Sequence, residues 1–529
     1  MSGLFCPAHK RHHPARIFLA LLLTLVWLIG CKKNDVPAGG AYYAESDRPQ
    51  FHFSPEKGWM NDPNGLVFYN DTYHFFYQHY PDSNVWGPMH WGHATSRDLV
   101  HWQHQPIVLY PDSLGYIFSG SAVVDENNTA GFQQGKEKTL VAIFTYHDMK
   151  KEKAGRIDRE SQGIAYSTDA GQTWTKFKDN PVLKNKGDQD FRDPKVTWYA
   201  PTRRWIMPLA VGDHLEIFSS PNLRDWTKES DFGRNEGSHG GVWECPDLFP
   251  LPADGAEKWV LIQNIGRGAA NGGSGVQYFI GTFDGKTFVN DNPPGTVLWL
   301  DYGADNYAGV TWFGAPDRQR IFIGWMSNWD DYATKVPAGA WRSAATLPRQ
   351  LSLVKTPGGW RLNQQPIAAL SQLRKTRVEI APRAVADSLK IESPFVQKEI
   401  LVDIDLTHST AKTMGFALSN GLHEQVVVGY DAVRHEVFID RTRAGKSEFS
   451  KKFAMKHVAP YTASGVLKLH AFVDVTSVEV FVDDGLLAMT DLFFPHEPYQ
   501  QLTLLSGGGQ VEILKAEVFE LNSIWHTKK

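Results

Sequence analysis

The chain is 529 residues long, enough for two or three domains, and 12% of it is aromatic, with 18 tryptophans. A formal net charge of −4 leaves no basic excess to neutralise phosphates, which excludes nucleic acid as a partner class. Its three cysteines, Cys6, Cys31 and Cys245, are too few and too scattered for a disulfide framework or a zinc site.

Residues 1–16 carry Lys10, Arg11 and Arg16 and no acid, and residues 17–29 form a 13-residue apolar run. That run is short for a membrane span and has the length of a signal h-region. It ends in Leu28-Ile29-Gly30-Cys31, which resembles a bacterial lipobox. The resemblance implies a signal peptide over residues 1–30 and lipidation of Cys31. It also implies an exported lipoprotein held to a membrane, on the periplasmic face or the cell surface. An uncleaved signal anchor is the alternative. Residues 31–48, with Lys, Asn, Asp, Pro and Gly, read as a flexible tether.

From residue 49 to about 355 helical periodicity is almost absent. Short alternating or apolar runs separated by Gly, Pro, Asn and Asp predict an all-β domain. A degenerate repeat organises it: Ser96-Arg97-Asp98-Leu99-Val100-His101-Trp102, Ser167-Thr168-Asp169-Ala170-Gly171-Gln172-Thr173-Trp174 and Ser220-Pro221-Asn222-Leu223-Arg224-Asp225-Trp226. A weaker copy is Thr282-Phe283-Asp284-Gly285-Lys286-Thr287-Phe288. The closing aromatics lie 72, 52 and 62 residues apart, about the length of a four-stranded sheet with its loops. That spacing predicts a five-bladed β-propeller. A large β-sandwich or a β-helix would not need so irregular a spacing.

In a propeller the innermost strands surround a channel, so acids distant in sequence can meet at its mouth. Three acids stand beside prolines: Asp62-Pro63, Asp193-Pro194 and Glu244-Cys245-Pro246. Asp62-Pro63-Asn64-Gly65 predicts a β-turn holding Asp62 rigidly. The gaps of 131 and 51 residues place the acids on different blades. Glycoside hydrolysis with retention needs two such carboxylates, a nucleophile and an acid/base. Glu244, beside Trp243 and Cys245, has the most apolar neighbours and the driest expected setting, which suits an acid/base. Asp62, between two amides, suits an ionised nucleophile, and Arg192 would keep Asp193 charged.

These motifs resemble glycoside hydrolase family 32, the invertases, inulinases and levanases. They are Trp59-Met60-Asn61-Asp62-Pro63-Asn64-Gly65, Arg192-Asp193-Pro194 and Glu244-Cys245-Pro246, with Phe118-Ser119-Gly120-Ser121, Tyr307-Ala308 and Gly324-Trp325-Met326. The resemblance runs from about residue 50 to the C-terminus. It implies an enzyme that removes fructose from levan, inulin or sucrose with no cofactor. Asp62 would be the nucleophile, Glu244 the acid/base and Asp193 the transition-state stabiliser. Asn61, Gln78, Trp86, Ser121 and Arg192 would line the fructose subsite, and Trp325 and Trp341 would stack on sugar. An endo-acting levanase or inulinase, a transfructosylase and a non-hydrolytic fructan-binding lipoprotein are the alternatives.

The spacings of His90 with His93 and of His101 with His104 are metal-like. No shared helix face or cysteine supports a metal, and none is expected. The glycine-rich run over residues 266–275 lacks a following helix, so it reads as a loop rather than a phosphate cradle. Residues 356–380 are expected to form a linker with a short helix from Pro366 to Arg374. Residues 381–529 alternate as a half-buried antiparallel β-sandwich, expected to support the propeller.

Overall fold

The computed structural model describes residues 42–525, so the leader, Cys31 and the tether as far as residue 41 lie outside the described residues. Five sheets follow one another along the chain, over residues 58–109, 116–176, 191–232, 243–299 and 307–366. Each begins with the strand nearest the channel and steps outward by antiparallel neighbours, as a propeller blade does. The ring closes where Trp341–Arg342 pairs in parallel with the first innermost strand, Gly58 against Trp341 and Trp59 against Arg342.

The repeat legible in the sequence is the turn between the third and fourth strands of blades one to four. Its serine and acid or amide are tied together: Ser96 Oγ to Asp98 Oδ1 at 3.0 Å, Ser167 Oγ to Asp169 Oδ1 at 2.7 Å, and Ser220 Oγ to Asn222 Oδ1 at 3.3 Å. Leu99, Ala170 and Leu223, each three residues past the serine, share a left-handed backbone with φ of 64°, 57° and 63°. Side-chain bonds to the following amides hold that unfavourable conformation in place.

The fifth blade ends in the hairpin Arg349–Thr356 and Gly359–Pro366, whose Leu351 and Leu362 pack on Phe249 and Val260 of the fourth. The propeller therefore runs to Pro366, past the boundary expected near 355, because the turn before Gly359 lies inside a blade. The connector is the short 3₁₀ helix Ala368–Leu373, and the strand Arg374–Ile380 already belongs to the second sheet system. That system is a sandwich organised on one long strand, Gln501–Leu521, which pairs with Thr413–Ser419 along its first half and Lys398–Asp405 along its second. Its alternate residues, including Leu502, Leu504, Ile513 and Val518, fill the core between the layers. Between the halves comes a Gly507-Gly508-Gly509 bend, with Gly508 at φ 71°.

The sandwich and propeller are joined through buried ions. Arg349 is fully buried and donates to Asp301 Oδ2 at 2.9 Å on the propeller side. Its other nitrogen reaches Glu479 Oε2 at 2.5 Å and Thr490 Oγ1 at 2.6 Å on the sandwich. Arg441 of the sandwich donates to Asp305 Oδ2 of the propeller at 2.6 Å. His52 lies between Asp474 and Glu479, at 2.8 and 3.0 Å. Burial alone would strip its proton, but these two carboxylates raise its pKa to about 9.

Candidate active site

The three acid–proline motifs sit at irregularities of strands, and Asp62-Pro63-Asn64-Gly65 is not the β-turn expected of it. Asp62 sits in the innermost strand Gly58–Tyr69, whose register shifts between Met60 and Pro63 and again between Asn64 and Val67. Glu244 opens the innermost strand Trp243–Ala253, with a shift between Glu244 and Asp247 and Cys245 at φ 45°. In the third blade the strand breaks after Phe191–Arg192, where Asp193 has φ 65°, and resumes at Thr197–Tyr199. A bulge leaves a residue out of the ladder and re-aims its side chain, and proline is tolerated there because its missing N–H is not needed.

The same irregularity recurs in the two blades that carry no acid. Register shifts between Ile117 and Gly120, and between Tyr307 and Val310, turn Ser119 and Tyr307 toward the same point. Each blade thus delivers one polar group, and these meet. Ser119 Oγ donates to Asp62 Oδ2 at 2.5 Å, and Asn61 Nδ2 donates to Asp62 Oδ1 at 2.8 Å. Trp59 Nε1 fixes the Asn61 amide by donating to its oxygen at 2.7 Å. The Tyr307 hydroxyl donates to Glu244 Oε2, and Arg192 Nη2 donates to Glu244 Oε1 at 3.0 Å. The Cys245 sulfur lies 3.6 Å from both Asp62 Oδ2 and Asp193 Oδ2, so a single atom spans two of the carboxylates.

Around these groups opens a pocket of about 250 Å³, lined also by Trp86, Phe118, His147, Glu160, Asp190 and Trp329. Below it the channel is closed by a polar belt. Thr311 donates from N and Oγ1 to Asp247 Oδ2 at 2.6 and 2.8 Å, and Lys195 Nζ lies 3.5 Å from the same oxygen. The site is a blind pocket, open at one end.

Its electrostatics differ from those expected. Asp193, only 5% exposed, is the driest of the three acids, whereas the Glu244 side chain is 22% exposed. Burial, followed by the charges of Glu244 and Asp62, pushes the Asp193 pKa up to about 8 despite the opposing pull of Arg192. Arg192 fails to keep it low because its guanidinium bonds to Glu244, Glu160 and Asp190 instead. Burial likewise raises the Asp62 pKa, against the hydrogen bond from Ser119.

A raised carboxyl has a defined sign in stability. Between pH about 4 and about 8 the folded chain keeps the Asp193 proton while the unfolded chain has lost it, so stability falls as pH rises through that window. Asp193→Asn removes the term. Its melting temperature should equal that of the wild type near pH 4 and exceed it by several degrees at pH 8. A difference independent of pH, in thermal melts across that range, would show that burial is not the cause.

Among the sugar-binding residues expected from sequence, Asn61, Gln78, Trp86 and Arg192 line the pocket. Gln78 is anchored by donating to Asn64 Oδ1 at 2.7 Å and the Ile117 carbonyl at 3.0 Å. Ser121 does not line it. It faces the channel one step deeper, where its Oγ donates to the Pro194 carbonyl and accepts from Val196 N, both at 3.0 Å, tying blade two to blade three. Ser119 holds the position instead. Trp325 is fully buried behind Trp59 and Trp329, at 5.9 and 4.8 Å between ring centres, and Trp329 is the ring that reaches the pocket. Trp341 belongs to the ring-closing strand and lies under Arg48, 3.6 Å from its guanidinium carbon.

Elsewhere among the described residues, His214, Glu216 and Asp231 bring ligand-type atoms within 4.8 Å of one another. Lys228 already bonds to Glu216 and lies 2.7 Å from Asp231, while Arg234 contacts His214 at 2.8 Å. Protein cations neutralise that cluster.

Clustered carboxylates in a blind, aromatic-rimmed pocket are the equipment of a glycoside hydrolase. The family models described as glycosyl hydrolases family 32 N-terminal domain and family 32 C terminal match residues 52–366 and 369–520, and the chain belongs to that family. It is 46% identical over 530 residues to the levanase of Bacillus subtilis (strain 168), covering 98% of this chain and 76% of that one. Its fold is similar to the crystal structure of exo-inulinase from Aspergillus awamori (TM-score 0.85, 37% identity, 91% of this chain and 100% of the other). It is also similar to β-fructofuranosidase from Schwanniomyces occidentalis complexed with fructosyl-erythritol (TM-score 0.82, 31% identity, 91% and 99%).

Proposed function

We propose that this enzyme is a β-fructofuranosidase that removes terminal fructose from levan, inulin and sucrose with retention. The observation that carries the reading is the convergence of Asp62, Asp193 and Glu244 from three blades onto one blind pocket. Levanase, exo-inulinase and fructofuranosidase relatives support the substrate class.

In this reading an Asp62 oxygen attacks the anomeric carbon of the terminal fructose as the bond to the leaving oxygen breaks. Glu244 gives its proton to that oxygen, and a fructosyl ester of Asp62 remains. Water then enters, Glu244 takes its proton, and attack at the same carbon releases fructose and restores the Asp62 carboxylate. Asn61 and Ser119 hold the two Asp62 oxygens, which fixes the plane of the nucleophile. Tyr307 and Arg192 do the same for Glu244. Asp193, beside both and holding its proton, faces the hydroxyls of the bound sugar as a hydrogen-bonding group.

A blind pocket of about 250 Å³ receives a chain end rather than a chain middle, which favours exo action. Product sizing on levan and inulin tests this. Free fructose should be the only early product. A ladder of oligosaccharides would mean endo cleavage, and fructose transferred to sugar rather than to water would mean a transfructosylase.

A further inference from the structure

At the far end of the first blade from Asp62, blades one and two leave a cleft of about 540 Å³, roomier than the catalytic pocket. The strand Gly58–Tyr69 runs from one to the other, so Asp62 and Asn70 stand at most about 25 Å apart, the rise of a regular strand that the two irregularities shorten. Nothing in the hydrolytic mechanism uses this cleft.

Its lining is uncharged, with hydrogen-bonding side chains set in surface that is otherwise mostly apolar. Asn70, Gln105 and Gln172 contribute carboxamides, and Thr72, Thr95 and Thr173 contribute hydroxyls. No lysine, arginine, aspartate or glutamate lines it. The floor is a stacked pair of imidazoles, His74 and His93, with ring planes 12° apart and Nδ1 to Nε2 at 3.1 Å, backed by Phe76. Burial lowers the His74 pKa to about 4 and holds that of His93 well below the ordinary imidazole value, so both rings are neutral near pH 7.

The cleft is also rigid. Its outer wall is the repeat turn of blade two, where the Ser167 Oγ accepts from Gly171 N at 2.9 Å and Asp169 accepts from Thr173 N and Oγ1 at 2.9 and 2.6 Å. A Cβ on Gly171 would come within 2.7 Å of the His74 ring, so glycine lets the turn close against the floor. Of the turn's side chains, Gln172 and Thr173 are left exposed. Uncharged amides and hydroxyls around apolar surface, over a nearly buried imidazole floor, suit a polyhydroxylated, uncharged ligand, and a preformed wall lowers the entropy lost on binding.

We propose that this cleft is a second saccharide site that holds a segment of the fructan chain whose end is cut elsewhere, a reading that rests on the fructan hydrolysis proposed above. Holding the polymer at a second point raises the local concentration of chain ends at the pocket. Sucrose is too short to engage both places.

Two measurements separate this proposal from the reaction itself. In the inactive Asp62→Ala background, migration through native gels containing levan or inulin should be retarded, and adding Gln105→Ala and Gln172→Ala should weaken the retardation roughly fivefold, the loss of a pair of hydrogen bonds. In the active enzyme the same pair should raise KM on long fructans to a similar extent while kcat, and both constants on sucrose, stay unchanged. Equal retardation with and without the pair would overturn the site, as would a KM change of equal size on sucrose. Retardation by dextran but by neither fructan would overturn the ligand class. Because the gel is run without turnover, fructan retardation that depends on Gln105 and Gln172 would support the site even if the wild-type enzyme released no fructose, a result that would sink only the proposed reaction.

Discussion

Asp62→Ala should reduce kcat on sucrose and levan by about four orders of magnitude or more, the usual scale for loss of a catalytic nucleophile. Three carboxylates crowd one pocket, so removing one relieves repulsion and the variant should melt no lower than the wild type. The covalent step adds a second readout. In Glu244→Gln the ester forms slowly, but its breakdown has lost the base that activates water. Quenched turnover should therefore leave a fructosyl adduct on the peptide that contains Asp62, visible by mass spectrometry and absent from Asp62→Ala. An adduct on another residue, or an Asp62→Ala enzyme within tenfold of wild type, would show that the nucleophile lies elsewhere.

The second large effect concerns stability. Arg349→Met should destabilise the chain by about 3–5 kcal/mol, because it strips the charge partner from a buried pair and leaves the carboxylates uncompensated. Asp301 would lose its guanidinium, and Glu479 would keep only His52 and the Leu347 amide. The urea midpoint should fall accordingly. Adding Glu479→Gln should recover part of the loss, since the orphaned charge then disappears. A midpoint within experimental error of the wild type for Arg349→Met would mean that the pair contributes nothing to the junction.

Much of this architecture is legible in one sequence. Three of five blades announce themselves through the Ser–Asp/Asn turn, and a fourth through a weaker copy without the serine, because the turn's geometry depends on local side-chain bonds, and local chemistry leaves a local signature. The three acids stand out for a related reason: each precedes a proline that only an irregular strand accepts. Their partners are less visible. Ser119 and Tyr307 occupy equivalent places in their blades but precede Gly120 and Ala308, so nothing beside them marks the irregularity. Ser121, on the same channel-facing side as Ser119, is distinguished from it only by depth, about 7 Å along the strand. Trp325 and Trp329 pose a similar problem, since which ring of an aromatic stack meets the pocket depends on contacts between blades. The buried charges at the domain junction left the weakest trace. Arg349 and Arg441 look like ordinary surface arginines until Glu479 and Asp305, each more than a hundred residues away, supply carboxylates.

Ring closure has a consequence for when the enzyme can work. The strand that carries Asp62 is made early, yet on its inner edge Gly58 and Trp59 find their ladder partners only in Trp341 and Arg342. Gly58 N bonds to the carbonyl of Ala340 at 2.8 Å, four residues before Asp62. Trp59, next along, both takes part in this pairing and steers the amide that holds Asp62. During synthesis Asp62 thus waits for a segment made some 280 residues later, and a chain that stops short of that segment has its acids but no latch. Completion of the circle thus supplies the last support of the strand that carries Asp62.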